Sequence, residues 1–285
     1  MFTADGWKDY EILETGNGEK IERWGKYVLR RPDPQIIWGN PGALDKIKVD
    51  GHYHRSSKGG GQWEFFSKLP EKWIIEYKDL KFYVRPTGFK HTGLFPEQAA
   101  NWDFIKESVK KRPGCKVLNL FAYTGGATLA AASGGADVVH VDASKGMLTW
   151  ARENLELSGL GDKYVRFLAD DCEKFVQREI RRGNKYDGII MDPPSYGRGP
   201  GGELWKMEDK IFGLAELCTQ ILKDKPLFFI INSYTTGLSP SVTGNILKLT
   251  AQKKFGGKTR ADEVGLPAKG GIYLPCGSTG RWSEE

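Results

Sequence analysis

Four short segments carry residue types that can recognise a nucleoside. Residues 117–120 form an apolar run leading into Phe121-Ala122-Tyr123-Thr124-Gly125-Gly126, where glycine lets backbone N–H groups approach a ligand closely. A second run, residues 138–141, ends on Asp142, an acid placed to accept hydrogen bonds from two ribose hydroxyls. Asp170-Asp171-Cys172 follows a third run and Asp192-Pro193-Pro194-Ser195-Tyr196 a fourth. The two prolines remove N–H donors and fix the carbonyl directions, leaving an acceptor-rich rim. Such a rim suits a base edge bearing N–H donors, with Tyr196 available to stack on the ring. A dinucleotide is disfavoured, because the spacing G-x-G-x-x-G is absent from the turn. Either aspartate of the 170–171 pair would also serve as a helix N-cap.

These segments require strands that end on one edge of a sheet. From residue 117 onward, apolar runs alternate with helical periodicity. Strands are expected near 117–121, 138–142, 164–168, 186–191 and 227–231. Helices are expected over 127–133, 145–157, through Phe175 and Ile180, 211–222 and 239–249, and two further strands near 258–263 and 271–274. The pattern predicts an α/β fold with an open, doubly wound, Rossmann-like sheet, whose ligands sit beyond the strand C-termini where strand order switches. Before it lies a smaller, β-rich N-terminal domain, residues 1–86. It has a hairpin about Asn17-Gly18, a second hairpin over 72–85, and loops marked by Pro32, Pro34, Pro41 and Gly59-Gly60-Gly61. Trp7, Trp24, Trp38, Trp63 and Trp73 are read as packing against the larger neighbour, residues 87–285. His52 and His54 share a strand face without a third metal ligand nearby.

A chain of 285 residues with 39% hydrophobic residues can bury a large core. No apolar run approaches the roughly 20 residues that span a bilayer, and residues 1–10 lack a signal-peptide core, so a cytoplasmic protein with no membrane partner is expected. Cys115, Cys172, Cys218 and Cys276 form no C-x-x-C unit, which fits free thiols in a reducing compartment. The net charge of +6 is compatible with a polyanionic partner.

Residues 119–126, Asp142, Asp171 and residues 192–196 together resemble a class I S-adenosylmethionine-dependent methyltransferase. With the loop His91-Thr92-Gly93-Leu94-Phe95-Pro96-Glu97-Gln98, they look like the bacterial 23S ribosomal RNA large-subunit base methyltransferases. The likeness covers roughly residues 87–285. It implies S-adenosyl-L-methionine as cofactor and ribosomal RNA as partner. It also implies that Asn119, Ala122, Tyr123, Thr124 and Gly125 approach the methionine part of the cofactor, and that Asp142, with Ala143 beside it, holds the ribose. Asp171 and Cys172 would meet the adenine, and Thr92, Phe95 and Gln98 would close over the cofactor. Asp192, Pro193, Pro194 and Tyr196 would face the methyl-accepting base, with Asp192 also touching the cofactor. The chain departs from the family in having serine at position 195, and in an N-terminal domain that matches no RNA-binding module.

Methyl transfer from a sulfonium needs the acceptor lone pair in line behind the methyl carbon, and positioning can supply most of the catalysis. A nitrogen acceptor needs no covalent catalyst, whereas cytosine C5 needs a thiolate to add to the ring, so nitrogen is favoured. The glycines of residues 197–206 predict a mobile lid, with Arg198 and Lys206 able to meet phosphates. A methyltransferase for a small molecule or a protein, and a non-catalytic RNA-binding protein, are the alternatives; the intact Asp142, Asp171 and Asp192 disfavour the latter.

Overall fold

The computed structural model describes residues 1–40, 42–56, 60–88, 90–198, 202 and 204–284. Two compact units result. The larger comprises residues 1–2, 101–264 and 277–285, the smaller residues 3–100 and 265–276. The division therefore falls after Ala100 rather than Pro86, and a C-terminal stretch returns to the smaller unit. Hydrogen bonds explain the return: Ala4 N–H donates to the Gly265 carbonyl and Lys269 N–H to that of Ile12.

The larger unit is built on an eight-stranded sheet whose order is Phe2–Thr3, Lys258–Pro267, Tyr273–Ser283, Phe228–Ser233, Gly188–Met191, Lys116–Leu120, Asp137–Asp142 and Val165–Ala169. The last five are parallel, while Tyr273–Ser283 runs antiparallel to Phe228–Ser233. Lys116–Leu120 lies between Asp137–Asp142 on one side and Gly188–Met191 on the other, so the order switches there, as the doubly wound reading requires.

Alternating side chains fill the two faces of the sheet. Leu118, Leu120 and Val141 join a cluster with Phe175, Val176, Ile211 and Leu214 from helices Cys172–Arg182 and Met207–Gln220. Asn119 and His140 point to the other face, where both are tied to Thr128 of helix Gly126–Ser133. Helix Lys145–Leu157 begins at Ser144, whose hydroxyl accepts from Met147 N–H, and its bounds coincide with those expected from the sequence. Helix Pro240–Leu247 continues as a π-helical turn, Lys248–Gln252.

The smaller unit contains a five-stranded sheet and the two-stranded pair Trp73–Tyr77 and Leu80–Val84. Asn17 (φ 54°) and Gly18 (φ 81°) both take the left-handed conformation that a tight hairpin needs. A further hairpin, Gly51–Arg55 with Gly61–Phe65, lacks so compact a turn signal. The contacts described for the tryptophans lie within this unit, and two of them, Trp63 to the Thr87 carbonyl and Trp7 to the Pro96 carbonyl, fall on residues that the sequence reading gave to the larger neighbour. The Trp73 indole donates to the Trp24 carbonyl, Trp7 packs on Tyr77, and the indoles of Trp38 and Trp63 bond to Thr15 and Thr87. Buried Glu22 receives Arg31 at 2.6 and 2.9 Å and the Tyr10 hydroxyl at 2.5 Å; against the cost of burial, the Arg31 and Lys20 charges and these hydrogen bonds hold its carboxyl down at about 2. His52 and His54 each meet a carboxylate, Glu19 and Glu64. Pro41, Gly59 and Phe89, all part of sequence-predicted loops, lie outside the described residues.

Candidate active site

The four segments singled out by sequence lie on one edge of the larger unit's sheet. Leu120 is in register with Val141 and with Met191, and Asp142 with Ala169, so the parallel strands end nearly level. Hydrogen bonds then continue between the segments beyond the strands. Ala122 N–H donates to the Val141 carbonyl, Asp170 N–H to the Asp142 carbonyl, and Asp192 N–H to the Leu120 carbonyl. Strand spacing of about 4.8 Å makes these segments direct neighbours along the crevice outside the switch point.

The turn after Leu120 is strained and heavily restrained. Phe121 (φ 55°) and Tyr123 (φ 51°) are left-handed without being glycine, each at a cost of about 1–3 kcal/mol. Gly125 (φ 92°) caps helix Gly126–Ser133, and a side chain there would also press on Ala151. The restraints come from three elements. Asp142 Oδ2 accepts from Tyr123 N–H at 2.9 Å, the Asn154 amide donates to the Thr124 carbonyl at 2.9 Å, and Gly125 N–H donates to the Ala122 carbonyl. Gly126 serves packing: a Cβ there would lie 2.5 Å from Cζ2 of Trp102.

Beneath the turn lies a polar chain that sequence reading missed. Asn119 Nδ2 donates to Thr128 Oγ1 at 2.9 Å, and Thr128 Oγ1 lies 2.9 Å from His140 Nδ1. Burial holds the fully buried His140 imidazole neutral, its pKa pushed down to about 3, against a smaller raising effect of the Tyr123 backbone. The only sequence signal was a histidine and an asparagine in otherwise apolar strands.

Asp142 itself is half-buried. Burial raises its pKa, against the lowering effect of N–H groups from Ser144 and Tyr123. Ala143 beside it is exposed. Asp171 is half-buried and caps its helix through Lys174 N–H at 2.8 Å, while Cys172 turns its thiol into the core, where burial pushes the pKa well above the ordinary value. Asp170 is engaged by Arg178.

In the fourth segment Asp192 is half-buried, Pro193 buried, and Tyr196 60% exposed, so its ring is open to a partner. The expected glycine lid begins and ends as a hairpin, Tyr196–Arg198 paired with Leu204–Lys206; Gly199, Pro200, Gly201 and Glu203 lie outside the described residues. Trp205, which the sequence did not single out as a site residue, donates its indole N–H to the Pro194 carbonyl at 2.7 Å and packs on Phe121 with ring centroids 4.8 Å apart. Thr235, following the Phe228–Ser233 strand, donates to the Ser195 hydroxyl at 2.9 Å. Thr92, Phe95 and Gln98 belong to the smaller unit. There Thr92 is fully buried with a hydroxyl that meets no hydrogen-bond partner, and Phe95 packs against His91.

Residues 44–233 match the sequence profile of a family described as S-adenosylmethionine-dependent methyltransferase. Ribosomal RNA large subunit methyltransferase K/L of Shewanella frigidimarina is 32% identical over 187 residues, covering 64% of this chain and 25% of its own length. Ribosomal RNA large subunit methyltransferase K of Neisseria meningitidis serogroup B is 34% identical over 202 residues, covering 68% and 54%. The chain thus spans about a quarter of the first of these relatives and about half of the second. Among solved structures, a SAM-dependent methyltransferase from Agrobacterium tumefaciens superposes with a TM-score of 0.92 and 35% identity over 98% of this chain and 92% of that one.

Proposed function

The chain belongs to the S-adenosylmethionine-dependent methyltransferase family, and we propose that it methylates a nitrogen of a base in ribosomal RNA. The observation that carries this reading is the adjacency of the cofactor turn and the Asp192-Pro193-Pro194 rim, joined by the Asp192 to Leu120 hydrogen bond.

The residues present fit the cofactor. Asp142 is a carboxylate whose burial disfavours its charge, so hydroxyl donors from a ribose would stabilise it. Residues 122–125 would take the methionine part, Asp142 and Ala143 the ribose, and Asp171 and Cys172 the adenine. S-Adenosylmethionine supplies a methyl group made electrophilic by its attachment to a positively charged sulfur.

The chain's task is then to orient an acceptor. Asp192 and the Pro193 carbonyl are hydrogen-bond acceptors that can hold an exocyclic amine, fixing its lone pair. Tyr196 offers a face for the ring, and stacking of this kind contributes about 1–3 kcal/mol. The restrained turn and the rim beside it would supply the proximity term, on the order of 7–11 kcal/mol for well-oriented pairs. Nitrogen is favoured over cytosine C5 by the state of the thiols. Burial pushes Cys115 up to about 11 and also raises Cys172 and Cys218 well above the ordinary thiol value, so none of these is a ready thiolate. The ribosomal RNA assignment draws on the Shewanella and Neisseria relatives.

Mass spectrometry of ribosomal RNA nucleosides from cells with and without the gene tests the reading. Loss of one methylated base on deletion is expected; an unchanged nucleoside profile would count against RNA as substrate.

A further inference from the structure

A cavity of about 280 Å³ opens in the larger unit at the end of the sheet opposite the candidate active site. Leu227 in its wall precedes strand Phe228–Ser233, and Ser283 is in register with Phe228, whereas the active-site segments follow the other ends of the parallel strands. A strand of this length puts the two sites about 17–20 Å apart.

The cavity gathers positive charge from three elements. Lys258 and Arg260 lie two residues apart on one strand and so share a face, Arg281 comes from the strand beside it, and Lys111 from the end of helix Ala99–Lys110. Among the described residues of the lining, Glu284 is the one carboxylate beside these four cations. Arg281 is held in place: its Nε donates to Asn101 Oδ1 at 2.7 Å, and its guanidinium lies 3.9 Å from the Phe2 ring centroid and 5.0 Å from that of Phe104. Burial lowers its pKa to about 10, with Asp103 opposing.

We propose that this cavity binds a phosphate group. Cations converging from separate elements suit a tetrahedral oxyanion touched from several directions, and an arginine fixed on aromatic rings presents a preorganised fork to its oxygens. The apolar walls of Phe2, Phe104 and Leu227 leave room for the sugar or base that carries the phosphate. Two sources share this chemistry. One is a phosphodiester of the RNA whose base enters the active site, an arm that rests on the RNA reading above; the other is a free phosphate compound.

The test uses the full chain, the exposed double variant Lys258→Ala/Arg260→Ala, and Arg281→Gln. Calorimetry with inorganic phosphate and with adenosine monophosphate is run beside fluorescence anisotropy of a labelled single-stranded RNA at several salt concentrations. S-Adenosylhomocysteine affinity reports that each variant is folded. The double variant is expected to bind the phosphate compounds at least tenfold more weakly. Its RNA binding should lose about 1.4 from the slope of log affinity against log salt, the value for two phosphate contacts on a single strand. Phosphate binding lost in the variant while RNA does not bind at all would keep the cavity and sink the RNA reading. RNA bound with the same affinity and salt slope by wild type and both variants, with no binding of phosphate or adenosine monophosphate, would overturn the cavity proposal and leave the RNA reading standing.

Discussion

The two rims of the crevice differ in how firmly they are built. The proposed cofactor turn, residues 121–125, carries two strained non-glycine residues and is pinned by Asp142, Asn154 and its own helix over the buried Asn119, Thr128 and His140 chain. The proposed acceptor rim, residues 192–196, is half open: Pro194 and Tyr196 are exposed, and Trp205, Thr235, Met207 N–H and the Leu120 carbonyl bond to it. The first arrangement fits a ligand of constant shape; the second fits an acceptor that must enter and leave. Strain is tolerated where the surroundings over-determine the backbone and is absent where they do not.

The comparison breaks most sharply at Asp142. Asp142→Ala removes the acceptor of two backbone N–H groups together with the proposed ribose contact, and should weaken S-adenosylhomocysteine binding by about a hundredfold or more in calorimetry. Tight binding retained in that variant would separate the turn from the cofactor. Tyr196→Ala should act on the other rim alone, costing about tenfold or more in kcat/KM for RNA through lost stacking, with cofactor affinity unchanged. A parallel loss of cofactor affinity would mean that the rims are not independent.

Two stability measurements sharpen the contrast further. Gly126→Ala forces a Cβ against the buried Trp102 ring, so thermal unfolding should show a loss of about 1–3 kcal/mol from overpacking. The pH dependence of folding bears on His140. Its folded pKa of about 3 lies below the ordinary 6.5, so on acidification the unfolded chain takes up a proton that the folded one refuses. Stability is therefore expected to fall by about 1 kcal/mol between pH 6.5 and 5.5 on this account, and His140→Gln should remove that increment. His91, held down at about 4 mainly by burial, adds a similar increment in the smaller unit, while Glu22, at about 2, contributes only as pH drops below 4.5.

Much of the larger unit was legible because parallel strands buried on both faces read as continuous apolar runs, and because Asp171 announces its helix as a cap. The Asn17-Gly18 turn was legible for an equally local reason. What escaped depends on contacts distant in sequence. The left-handed Phe121 and Tyr123 are imposed by Asp142 and the surrounding turn, and no residue type signals them. The role of Trp205 needs Phe121 and Pro194 beside it, and the roles of His140 and Asn119 need Thr128. The C-terminal return to the smaller unit escaped because residues 265–276 pair with residues near the start of the chain, which periodicity cannot reveal.

The most direct test of the account is transfer of a labelled methyl group from S-adenosylmethionine to undermodified ribosomal RNA by the wild type and by Asp192→Ala. Label should enter a base with the wild type and fall at least a hundredfold in the variant, a larger loss than any in S-adenosylhomocysteine affinity, since a rim acceptor is lost and the turn is intact. Equal transfer by both proteins, or no label in RNA with the wild type, would contradict it.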